Sequence, residues 1–325
     1  MKENLKLNLN NIKEMFNNKP SIMREAENGR YHPIWILQVL IFILVFVITQ
    51  IVSSIPLVFL ILTNKGLTEN DLALPMLFLT IFTALLVIVY CRFIERRSIR
   101  SMGLVKEKIR SDYLVGILVG FVMFSACVII AYMAGTLEFN GYVLGNGIGI
   151  LVLFFIGFII QGAEEEVMMR GYVMMSMGAR YSVLTAVITN SVLFAALHLG
   201  NNGVTKLAFI NLVLYGAFAS VYTLKMDSLW GICAIHTVWN FAQGNIYGIS
   251  VSGLDMTTSI FSFGLTKEGA LINGGTFGLE GGLAVTIVLI ISIIIVSMLK
   301  GRNISMNGKN IIKEQEEITS GIVAE

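Results

Sequence analysis

Charge is scarce in this sequence. Of its 325 residues only 14% are Asp, Glu, Lys or Arg, where soluble domains carry roughly 25%. A water-soluble core is excluded by that shortage together with 55% hydrophobic residues and a mean hydropathy of +0.77. Cysteine is also rare. Cys91, Cys127 and Cys233 fall in or beside apolar runs and lack metal-ligand spacing, so they read as small core residues. Residues 1–32 read as a cytoplasmic tail or surface helix and not as a secretory signal, since the polar region is too long and the apolar run after it exceeds an h-region. Histidine occurs three times. His32, beside Pro33, reads as a solvated or interfacial residue.

What remains is a series of apolar runs long enough to cross a bilayer, each needing about 20 residues. Eight are expected: Ile34 to Leu62 (long, tilted or bent at Pro56), Pro75 to Ile94, Tyr113 to Met133, Leu144 to Met177, Ser182 to His198, Leu207 to Leu224, Ser228 to Gly248 and Gly281 to Leu299. The third carries Gly116 and Gly120, a G-x-x-x-G pair that permits close helix contact. Basic residues mark the cytoplasmic side. With the N-terminus inside, all of the 23 Lys and Arg except Lys65, Lys206 and Lys267 fall on the inner side. This predicts an all-α polytopic protein with both termini cytoplasmic. Its parts are a tail over 1–33, three helices with a basic inner loop over 34–143, a core over 144–299 and a tail over 300–325. The Gly/Ser-rich loop 249–279 is expected outside.

One charged stretch interrupts the apolar core: Gln161-Gly-Ala-Glu164-Glu165-Glu166-Val-Met-Met-Arg170-Gly171. An ionised carboxylate inside a protein or bilayer costs several kcal/mol unless paired or wetted, so such groups are functional by default. Glu166 and Arg170 stand four apart, on one helix face, as an ion pair would. Glu165 is turned about 100° from Glu166, so it faces the bundle centre. Two more polar sites lie in apolar helices: Phe194-x-x-x-His198 and His236-x-x-x-Asn240. A carboxylate, two imidazoles and a carboxamide suit hydrolysis. Glu165, helped by His198, takes a proton from water. His236 and Asn240 donate hydrogen bonds to the oxyanion. At ~1.5 Å per residue, His198 lies about 25 Å along its span and His236 only about 12 Å along its own. Convergence therefore requires the seventh span to start deeper, or the fifth to tilt or start below the inner surface.

These motifs, in this order, resemble those of the CAAX-protease and bacteriocin-processing family (CPBP, also called ABI) of intramembrane endopeptidases: Glu165-Glu166-x-x-x-Arg170, Phe194-x-x-x-His198 and His236-x-x-x-Asn240. Gly171 fits as well, and the run Asn240 to Gly244 with Gly248 and Ser252-Gly253 beyond it, and the segment Gly274 to Glu280, resemble its bacterial branch. The resemblance covers roughly 144–299. It implies an eight-helix bundle like that of the type II CAAX prenyl endopeptidase, an intramembrane active site, and catalysis by Glu165, His198, His236 and Asn240, supported by Glu166, Arg170 and Phe194. The expected substrates are membrane-tethered, prenylated or leader-type peptides; the expected setting is a bacterial plasma membrane, with no role for nucleic acid. No cofactor is favoured. The alternative is a zinc-dependent protease with Glu165, His198 and His236 as ligands, but a glutamate that ligates zinc cannot also be the free base. A proton-coupled transporter is the rival from another class, though the inverted repeats and broken helices usual there are not apparent; a membrane scaffold is the third reading.

Overall fold

The computed structural model describes residues 11–302, except 65, 68, 145 and 146. The C-terminal tail lies outside the described residues from 303 onward. Residues 11–17 are helical, followed by α1 (Ser21–Ala26). The long helices are α2 (Trp35–Thr63), α3 (Asp71–Ile94), α4 (Ile109–Met133), α5 (Gly147–Arg180) and, after α6 (Val183–Leu197), α7 (Lys206–Met226). Then come α8 (Trp230–Phe241), a short α9 (Ala270–Asn273) and α10 (Leu283–Met298).

Five of these helices, α2, α3, α4, α5 and α7, are long and apolar enough to cross a membrane. Eight full spans were expected. The other three apolar runs form shorter helices. Helix α6 is closed at its start by the Ser182 hydroxyl, which accepts from the Thr185 N–H, and ends at His198. Helix α8 widens after Phe241 into a turn with i→i+5 hydrogen bonds over Ala242–Ile246. The expected all-helical character holds with one exception. Strand β1 (Leu137–Tyr142) pairs antiparallel with β2 (Phe261–Leu265), so the Gly/Ser-rich loop is folded rather than open.

The Gly116/Gly120 pair finds its partner in α8. A Cβ on Gly120 would lie 2.7 Å from the Ile235 carbonyl oxygen, and one on Gly116 would lie 2.7 Å from the Ala234 Cβ. Elsewhere on α8, a Cβ on Gly162 of α5 would stand 2.9 Å from the Thr237 nitrogen. Three glycines thus let α4 and α5 grip α8 at backbone distance. That grip fixes the helix carrying His236 and Asn240.

The N-terminal segment is packed, not free. Ile22, Met23 and Ala26 of α1 are fully buried. Asp227, in the connection between α7 and α8, accepts from the Ile22 N–H at 3.0 Å and from the Ser21 hydroxyl; burial raises its carboxyl above the usual range. Nearby, the Lys225 ammonium donates to the carbonyls of Asn11 (3.0 Å) and Leu299 (2.8 Å). The Asn11 side chain donates to the Met298 carbonyl. The basic run after α3 is also partly buried. Arg97 is buried against Glu95 at 2.6 Å, and its Nη2 reaches the Gly171 carbonyl at 3.3 Å. Ser176 donates to the same Glu95 carboxylate, so this loop is tied to the C-terminal half of α5.

Candidate active site

Helix α5 changes character where the acids occur. It is α-helical to Glu166, then runs with i→i+5 hydrogen bonds over Val167–Met174. Such widened turns recur at functional sites. Here every residue of the widened stretch is buried.

Glu166 is fully buried and does two jobs. Its Oε1 accepts from Arg170 Nη1 at 3.0 Å, the spacing expected from the sequence, and from His236 Nδ1 at 2.8 Å. Arg170 also donates to the Gly216 carbonyl and lies 4.7 Å from the centre of the Phe194 ring. Phe194 in turn stacks on Tyr215, with ring centres 5.6 Å apart, and sits 4.9 Å from the His198 ring. The aromatic residue of the second motif is thus a platform under the arginine of the first. A cation over an aromatic face away from water contributes about 2 kcal/mol.

Glu165 points elsewhere, as the 100° step requires. It lines a cavity of about 630 Å³ together with Glu164, His198, His236 and Asn240, within the usual range for ligand sites. Its Oε2 lies 3.7 Å from His236 Nε2. Its Oε1 accepts from Gln161 Nε2, and Gln161 Oε1 accepts from Asn240 Nδ2 at 3.0 Å. Sequence reading gave Gln161 no role. The available signal was its spacing, four residues before Glu165, the same offset that pairs Glu166 with Arg170.

His198 lines the cavity but is hydrogen-bonded to Phe194, not to Glu165. Its Nδ1 lies 2.9 Å from the Phe194 carbonyl oxygen. A carbonyl only accepts, so Nδ1 carries the proton and Nε2 is left as an acceptor. The two histidines meet the same cavity because α8 begins inside the protein: Asp227, Ser228 and Leu229, which precede it, are each fully buried. His236 therefore needs only a short helix to reach the level that His198 reaches at the end of α6.

The cavity has a wall that sequence reading left without a function. Val251 to Met256 line it. They are held by Glu280, whose carboxylate accepts from the Ser252 N–H (2.8 Å), the Ser252 hydroxyl (2.6 Å) and Trp239 Nε1 (3.2 Å). Gly253 adopts φ +87°, and a side chain there would strike the Asn202 carbonyl, so glycine is required at this turn.

Each histidine holds Nδ1 on a carboxylate or carbonyl and leaves Nε2 free, as metal-ligating histidines do, while among the described residues no group of three or more His, Cys, Asp or Glu is placed to hold an ion.

No curated protein and no solved structure matches the chain significantly. A family model does match. It covers residues 147–242, from the start of α5 to just past Asn240, and so includes all three motifs and every hydrogen bond among Gln161, Glu165, Glu166, His236 and Asn240. The part of the chain that builds this site matches the type II CAAX prenyl endopeptidase Rce1-like family.

Proposed function

We propose that the protein is a membrane endopeptidase in which Glu165 activates water against a peptide bond of a membrane-tethered substrate. The observation that carries this reading is the facing of Glu165 Oε2 and His236 Nε2 across 3.7 Å in the cavity. That gap is too long for a direct hydrogen bond and suits a water held by both. Glu165 takes one proton from this water as its oxygen attacks the carbonyl carbon. The carbonyl π pair moves to oxygen, and the oxyanion accepts from Asn240 and from protonated His236, whose Nδ1–H is held by Glu166. As the C–N bond breaks, Glu165 passes the proton to the leaving amine. His198 Nε2 serves as a second acceptor that orients the water. Gln161 acts through Glu165 and Asn240, holding base and oxyanion donor at a fixed separation.

The test uses the full chain in lipid nanodiscs with lipid-anchored peptides, products being read by mass spectrometry. Cleavage is expected. Asn240→Ala should lower kcat by about 10²–10³-fold, as for one oxyanion donor, with KM nearly unchanged. Absence of any cleaved peptide bond would remove the endopeptidase reading; full activity in Asn240→Ala would remove Asn240 from it.

The reading also places both termini on the cytoplasmic side. The three native cysteines are buried, so single cysteines introduced at exposed positions report cleanly. An impermeant thiol reagent added outside cells should label Leu271→Cys and spare Lys106→Cys. The reverse pattern would invert the topology.

A further inference from the structure

The three-acid run is one residue longer than the family's motif needs. Glu165 and Glu166 fill the two acidic positions. Glu164 lies outside them, yet it is 95% buried and lines the same cavity. Glu166 has Arg170 and His236, and Glu165 has Gln161 and His236. Among the described residues Glu164 has no hydrogen-bond donor and no cation. A buried carboxylate without a partner destabilises a fold by several kcal/mol, and two neighbouring carboxylates add repulsion. Structure gives nothing back for that cost; a ligand could.

The lining is predominantly acidic. Apart from the His236 imidazolium its charged side chains are Glu164, Glu165, Asp255 and Glu280, and no Lys or Arg is among the described residues around it. A low-dielectric cavity so lined attracts cations and repels a free chain-terminal carboxylate.

From this we infer that Glu164 is a substrate-binding residue that receives a lysine or arginine side chain of the peptide, selecting a basic segment beside an internal bond. The inference rests on the endopeptidase reading and specifies its substrate class. Glu164 and Glu165 line the same cavity, so the cation is expected at one position, or two adjacent ones, near the bond facing Glu165.

Binding is measured in a Glu165→Gln background, which keeps peptides intact, with full-length protein in phosphatidylcholine nanodiscs. The probes are an apolar lipid-anchored decapeptide with one lysine placed in turn at each position, and the same peptides with glutamine or glutamate there. At one position or at two adjacent ones, lysine should bind at least about tenfold tighter than glutamine, or ~1.4 kcal/mol, and glutamate weaker than either. Adding Glu164→Gln should bring the lysine-to-glutamine ratio close to one. Its thermal midpoint should stay level or rise, since an unpaired charge is removed. Equal affinities at every position, a ratio that survives Glu164→Gln, or a lowered midpoint would each overturn the inference. A failure of the endopeptidase reading shows differently, as uncut peptide with the native protein, whatever the binding ratio.

Discussion

Glu165→Gln is expected to lower peptide cleavage by at least about 10²–10⁴-fold, the range for loss of a general acid–base group, while the protein stays folded. Glutamine has the same length and still offers an oxygen to Gln161 Nε2, so the link through Gln161 to Asn240 survives. What disappears is the group able to take the water's proton and hand it to the amine. Single-turnover cleavage of a lipid-anchored peptide, with the thermal midpoint recorded beside it, separates chemistry from folding. Unimpaired cleavage would end the assignment of Glu165 as base. The same preparation tests the metal question. Cleavage is expected to persist in chelator, with metal well below one equivalent. Stoichiometric zinc that tracks activity and is lost in both His198→Ala and His236→Ala would replace the water-activating glutamate with a metal centre.

Arg170→Ala should have the largest effect on stability. The guanidinium is fully buried, pairs with Glu166 at 3.0 Å and lies over Phe194. Removing one partner of a buried pair leaves the other charge uncompensated and costs about 3–5 kcal/mol. Glu166 would then be held by His236 alone, so activity should fall together with the yield of folded protein. Thermal unfolding in detergent measures this directly. A normal midpoint with lost activity would mean that Arg170 acts on substrate instead. The double variant Glu166→Gln/Arg170→Met removes both charges and should recover part of the midpoint but not the activity, since His236 loses its carboxylate partner.

The residues that could be placed from sequence are those whose partners lie on their own helix. Helical geometry alone sets Glu166 beside Arg170 and turns Glu165 away from both. It also put Gly116 and Gly120 on one face, although only the fold named α8 as the surface they meet. Contacts between helices were not legible. Glu166 with His236, and Gln161 with Asn240, depend on how α5 and α8 are rotated against each other, and periodicity carries no such information. The β1–β2 ribbon escaped for a related reason: its strands are short and join distant parts of the chain. Arg97 was hidden by its surroundings. In sequence it is one of several basic residues in a run, and only the fold brings Glu95 and the Gly171 carbonyl around it.

The Lys225 brace has a consequence in time. It joins carbonyls of Asn11 and Leu299, and Asn11 itself reaches Met298, 287 residues away in sequence. At about 5–20 residues per second on the ribosome, those two segments emerge roughly 15–60 s apart. Over the last part of that interval, roughly 3–11 s at the same rate, α8 and its histidine are already made, while the clasp beneath them cannot close. Translation that stops short of α10 therefore releases a chain containing all three motifs but lacking the fastening under the helix that carries the third.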